Sequence, residues 1–272
     1  MAGVSRDQVG RIEGRSRTRG TGARSEKAPC SLRVGERLPR ISADREGGLA
    51  DDQRTARIFG VLFIITFLTS IPAALLYGPV LKDPAGYIAG GGKDTQIYLA
   101  AFLEFLLIIS NVGTAVVLYP IARRGYETLA IGYVAARIME SVFIASGVLF
   151  VLGIVALRHE APEAADVAVS LAALKDLSFL FGPGLIVPCG NGLLLGYLMY
   201  RSGLVPRRMA WFGLIGGPLL LIGQVGVLFD LWDAGSAARV LVVPEAIWEL
   251  FVGFYCAIRG FRRDSPILSR EP

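Results

Sequence analysis

Histidine occurs once in this chain of 272 residues, as His159, and cysteine three times, as Cys30, Cys189 and Cys256. Each scarcity closes off a chemistry. One histidine beside Glu160 reads as a solvated loop residue and cannot build a multi-histidine metal centre. Three cysteines, one in a polar tail and two in apolar runs, offer neither zinc spacing nor a disulfide framework. There is no Gly-x-Ser-x-Gly elbow, no His-Glu-x-x-His pair and no Walker loop, and no histidine lies at depth to serve an intramembrane hydrolase. The expectation is a protein that is not an enzyme and takes no cofactor and no metal. Charge is scarce too: 19% of residues are charged against 53% hydrophobic, and the mean hydropathy is +0.52. A soluble domain of this length is less apolar than that. The net charge of +5 would suit nucleic acid, but no aromatics interleave the arginines on a folded face, so nucleic-acid binding has no support.

Long apolar runs are what the chain does have. Residues 1–53 are rich in Arg, Gly, Ser and Asp without apolar periodicity, the composition of a disordered, Arg-rich cytoplasmic tail. No apolar stretch follows a short basic start, so the first run, at Ile58, reads as a retained anchor. Six runs follow within 54–262, at about 58–77, 97–119, 129–157, 177–200, 209–231 and 240–258. A membrane-crossing helix needs about 20 apolar residues, so the fold class is all-α, a six-helix transmembrane bundle, with 263–272 as a short cytoplasmic tail. Arginines at 54, 57, 123, 124, 201, 207, 208, 259, 262 and 263 fall on one side, whereas the other side mixes Lys82, Lys93 and Arg158 with acids. The positive-inside rule then places both termini in the cytoplasm and the protein in the cell membrane. The lipid bilayer is the expected partner, with anionic lipid against the basic tail. No protein partner is named by these residues.

The run 129–157 organises the rest, because it carries Arg137 and Glu140 near its middle. Three residues apart on a helix, they share a face and can pair. An ionisable group at that depth costs at least about 2.5 kcal/mol, which calls for a reason. Further buried charges are expected at Glu104, Asp176, Glu245 and Glu249, with Asn111, Asn191 and Gln224 as secondary members of the cluster. One arginine then faces up to four carboxylates. Arg137 is expected to pair with Glu140 or Glu249, leaving at least one other carboxyl protonated. The fourth run contains Gly182, Pro183, Gly184, Pro188, Gly190, Asn191 and Gly192, which reads first as a kinked, closely packed helix and second as an unwound substrate site.

The residues Gly60-Val-Leu-Phe-Ile-Ile-Thr66, Leu103-Glu104, Leu118-Tyr119-Pro120 and Leu129 to Glu140 resemble the bacterial membrane family catalogued as domain of unknown function 4386. Lys175-Asp176, Tyr197 to Arg207, Gly213 to Gly217 and Glu249 to Phe261 extend that resemblance. It implies a six-helix membrane protein whose family-typical polar positions are Glu104, Arg137, Glu140, Asp176 and Glu249. Glu245 departs from the pattern, and Lys175 stands where the family often has Arg. Two functions remain open: a small transporter or proton- or cation-coupled carrier using the buried carboxylates, and a membrane scaffold or partner-binding module whose charges only fix helix packing.

Overall fold

The computed structural model describes residues 38–233 and 240–270, with side chains from residue 47. The described residues from Ser42 onward form one compact unit. The described residues are helical apart from short turns: α1 (Leu38–Lys82), α2 (Pro84–Ile88), α3 (Asp94–Glu160), α4 (Ala165–Phe179), α5 (Gly196–Ser202), α6 (Arg207–Leu228) and α7 (Val243–Arg259). Two π-helical segments, Leu180–Gly184 and Pro188–Leu195, lie between α4 and α5.

Helix α3 is two limbs rather than one rod. Tyr126 leaves helical geometry at φ −144° and ψ 53°, and beyond it the chain runs back on itself. Arg158 meets Asp94, Glu140 meets Asn111 and Tyr133 meets Thr114, a nested series that only antiparallel limbs produce. The same signature recurs around the bundle. Asp52 reaches Arg124 and Gln96 reaches the Leu76 carbonyl, setting α1 against the first limb of α3. Gly153 lies under Leu171, and Gly132 under Leu194, setting the second limb against α4 and the segment after it. Gly184 faces Gln224 and Gly196 faces Gly213, which brings α6 alongside. Gly213 then meets Trp248 of α7.

The ring closes between α7 and α1, where Gln53 donates to the Phe261 carbonyl at 2.8 Å and Gly253 lies against Phe63. Gly60 allows the approach, because a Cβ there would fall 2.6 Å from the Gly253 carbonyl oxygen and against the Ala257 backbone. Small residues at crossings are how helices pack closely when hydrocarbon is the solvent. Six helical limbs thus form a closed antiparallel ring among the described residues. Two apolar clusters fill its ends: Phe59, Phe63, Tyr133, Met199 and Trp248 at one, Tyr77, Tyr87, Ile97, Ile154 and Ala172 at the other.

The polarity is that of a protein turned outward to lipid. Leu68, Leu75, Leu149 and Ile258 are exposed, while Glu104, Arg137, Glu140, Lys175 and Glu245 are buried. Among the described residues four helical stretches, Gly47–Lys82, Asp94–Glu160, Ala165–Ser202 and Arg207–Leu228, are long and apolar enough to cross a membrane. The second and third apolar runs of the sequence are therefore the two limbs of one helix. The sixth is covered in two pieces: Val240 and Leu241 are helical, Val242 is a turn, and α7 continues from Val243 for 17 residues.

At the N-terminal end, helix replaces the last part of the expected tail. The tail expected over 1–53 lies outside the described residues up to 37, and from Leu38 the chain is helical. Its last turns are held by tertiary contacts that composition does not report: Asp52 takes two 2.8 Å hydrogen bonds from Arg124, and Leu49 packs on the core. At the other end, 263–270 are packed down. Ser265 donates to the Ser202 carbonyl at 2.7 Å, and Ile267 is buried.

Candidate functional site

Between the two apolar clusters the ring encloses a cavity of about 580 Å³. All nine sequence-predicted polar residues line it: Glu104 and Asn111 from the first limb of α3, Arg137 and Glu140 from the second, Asp176 from α4, Asn191 from the second π-helical segment, Gln224 from α6, and Glu245 and Glu249 from α7. Spacing explains the convergence. Residues 104 and 111, 137 and 140, and 245 and 249 are spaced seven, three and four apart, close enough to one or two helical turns that each pair presents both members to one side.

Each of the three guanidinium nitrogens of Arg137 is engaged. Its guanidinium donates to Glu140 Oε2 at 2.6 Å, to the Asn111 side-chain oxygen and to the Asn111 carbonyl at 3.4 Å. Asn111 Nδ2 donates in turn to Glu140 Oε1 at 3.0 Å, closing a triangle of three side chains. The Phe63 ring lies 5.7 Å from the guanidinium carbon. Of the two expected partners, Arg137 takes Glu140. A planar fork of donators on paired acceptors is the arrangement that arginine suits and lysine does not. This triangle ties the two limbs of α3 together across the fold at Tyr126.

A second cation lies in the cavity that the sequence account did not include. Lys175, buried near the end of α4, donates to both oxygens of Glu104 at 2.7 and 2.8 Å, and its ammonium sits 4.9 Å from the centre of the Tyr77 ring. The cluster is thus two cations against five carboxylates. The expectation of a lone arginine fails because Glu104 and Lys175 are 71 positions apart and nothing local ties them. A signal existed: Lys175 is the one lysine within the apolar runs and their edges. Asp176, its neighbour, projects about 100° around the helix, is exposed, and touches the cavity rim.

The α7 side differs in kind. Glu249 Oε1 accepts from Asn191 Nδ2, and the Asn191 carbonyl accepts from Trp248 Nε1 at 2.9 Å. The π-helical turn is what brings Asn191 here. Pro188 opens that segment without an N–H to donate, and the widened turn carries Asn191 toward α7. Of the two readings of the Gly- and Pro-rich fourth run, the backbone is a continuous but widened helix whose polar residue faces the cavity. Glu245 is 1% exposed, yet neither of its oxygens has a hydrogen-bond partner among the described residues, and the same holds for Asn191 Oδ1. The Glu245 carboxylate lies over Gly192 and Gly216, where an added Cβ would come within 3.0 and 2.9 Å of Oε2. Taking a carboxylate out of water costs several kcal/mol even after relaxation. Here no side chain offsets that cost. Among the described residues no group of three or more His, Cys, Asp or Glu is placed to hold a metal ion.

The comparisons with known proteins agree with a membrane setting. Residues 58–260 match the family model described as Domain of unknown function (DUF4386). The chain is also similar to the probable potassium transport system protein Kup 2 of Dechloromonas aromatica (strain RCB), 27% identical over 194 residues, 70% of this chain and 29% of that protein. A second similarity is to the probable potassium transport system protein Kup of Anaeromyxobacter dehalogenans (strain 2CP-C), 30% identical over 198 residues, 69% of this chain and 28% of that protein. The chain spans less than a third of the length of these relatives. No solved structure shows a significant match.

Proposed function

We propose that this chain, which belongs to the DUF4386 family, is a small membrane carrier that moves a monovalent cation or proton through the carboxylate-lined cavity. The supporting observation is the charge imbalance along its lining. Two of five carboxylates are paired, by Lys175 and Arg137. Glu245 and Glu249 have no cationic partner at ion-pair distance among the described residues. Intramembrane acids in that state commonly mark ion and proton routes. Similarity to two proteins named as potassium transport proteins makes potassium one cargo to try.

In this reading the six limbs each cross the cell membrane with both termini in the cytoplasm, as the arginine distribution favours. The basic N-terminal tail meets anionic lipid, and the protein carries out no catalysis. The two closed polar clusters then have a structural task. The Arg137–Glu140–Asn111 triangle and the Lys175–Glu104 pair fix helix register, while the α7 carboxylates take the cargo.

The test is flux in liposomes containing the purified chain and an internal pH-sensitive dye, with potassium, sodium and organic cations applied outside. Flux in the parent that Glu249→Gln reduces at least about tenfold, with unfolding temperature unchanged, is the expected result. Absence of flux in both would end the carrier reading and leave a scaffold whose charges only fasten helices.

A further inference from the structure

We propose that the cavity binds an amphipathic organic monocation, its ammonium seated at Glu245, Glu249 and Asn191 and its apolar body against the walls contributed by α1, α4 and α6. This names the ligand class for the cavity assigned above and rests on that reading. The place of the charge follows from which acceptors are already occupied. Both Glu104 oxygens are taken by Lys175, and the two Glu140 oxygens by Arg137 and Asn111. On α7 the accounting is the reverse. Both Glu245 oxygens and Asn191 Oδ1 are buried without a donor among the described residues, and Glu249 uses one oxygen on Asn191. Glu245 and Glu249 stand one helical turn apart on the face that lines the cavity. An ammonium carries up to three N–H donors and one positive charge, which is what these oxygens lack.

The remaining lining sets the rest of the ligand. Phe67, Ile71, Phe179, Val187 and Leu220 present apolar wall to the same space. A volume of about 580 Å³ falls in the range that holds drug-sized organic ligands, which bind by apolar walls and a few placed polar groups. A bare alkali ion at Glu245 and Glu249 would leave the apolar wall of Phe67, Ile71, Phe179, Val187 and Leu220 without a partner. Hard cations take several oxygens at once.

Phenylbutylamine, protonated at neutral pH, has this chemistry, and phenylbutanol has the same body without the charge. Equilibrium dialysis of the radiolabelled amine against the detergent-solubilised full chain reads binding. Expected is saturable binding that weakens at least about tenfold in Glu245→Gln and in Glu249→Gln, holds in Glu163→Gln at an exposed turn, and is much weaker for the alcohol. Each variant's unfolding temperature is read alongside. Glu245→Gln, which removes a charge without a partner, should leave that temperature equal or higher while binding falls. Equal amine binding in the Glu245→Gln/Glu249→Gln double variant, or alcohol bound as tightly as amine, would overturn the proposal. Saturable rubidium binding with no amine binding would overturn the ligand class and leave the carrier standing. Amine binding without flux in liposomes would support the ligand site and overturn the carrier.

Discussion

The ammonium of Lys175 lies within 2.8 Å of both carboxylate oxygens of Glu104, joining α4 to the first limb of α3 in the interior of the bundle. Both side chains are largely shielded, at 7% and 11% exposure, so each is the other's main compensation for leaving water. Removing one partner alone should cost about 3–5 kcal/mol, because it strands a buried charge. Lys175→Met is therefore expected to lower the unfolding temperature sharply in detergent, and Lys175→Met with Glu104→Leu to recover most of the loss. If the double variant is as unstable as the single, the pair is not the unit of stability.

Arg137 makes three hydrogen bonds through a planar fork, to Glu140 and to two atoms of Asn111. A lysine offers one compact charge and cannot span those acceptors. Arg137→Lys should therefore destabilise by about 1.5–3 kcal/mol, the worth of a lost hydrogen bond to a charged group. Denaturant unfolding in mild detergent checks this, and a change within experimental error would mean that the triangle contributes little.

Gly216 lies where α6 passes α7. A Cβ there would stand 2.6 Å from the Glu245 nitrogen and 2.8 Å from its Cα, and backbone cannot swing aside as a flexible side chain can. Gly216→Ala should cost about 1–3 kcal/mol by overpacking and also displace Glu245. Reduced stability together with weakened cation binding is expected. Gly78, with open space around its Cα, should accept alanine without a comparable loss.

Asp94, at the tip of α3 ahead of the apolar run, gathers three partners. It accepts from the Tyr87 hydroxyl and from Arg158 at 2.9 Å, and it meets His159 Nε2 at 2.7 Å. His159 is therefore an exposed residue with a side-chain hydrogen-bond partner, not merely a solvated one. The Tyr87 hydrogen bond foremost, then that of His159 and the nearby Arg158 charge, hold the Asp94 carboxyl below its usual 3.8 against the opposing effect of burial. A depressed carboxyl pKa contributes stability that is complete above the unfolded value and lost as pH falls through the folded one. Unfolding temperatures should thus fall below about pH 4 in the parent. Asp94→Asn should flatten that slope and cost up to about 1 kcal/mol at neutral pH, as for a partly exposed pair. An unaltered slope in the variant would assign the acid sensitivity elsewhere.

Much of this was written in local sequence. Apolar runs near the length of a bilayer gave the helices, the Arg137 and Glu140 spacing placed both on one face, and the family resemblance over most of the chain is carried by short contiguous motifs. Those features depend on a helical period of 3.6 residues and on the cost of exposing polar groups to hydrocarbon, both of which act within one segment. Tertiary structure decided what lies across the bundle. Lys175 finds Glu104 over 71 positions, and Arg137 chooses Glu140, with Asn111 closing the set. Glu245, the departure from the family pattern, proves to be the carboxylate that is buried and left without a donor among the described residues. No period within a single run reports such pairings, because they depend on how each helix is rotated toward its neighbours. That rotation follows from close contacts such as Gly60 on Ala257 and from the widened turn at Pro188–Leu195, where the packing of the whole ring fixes which polar group meets which.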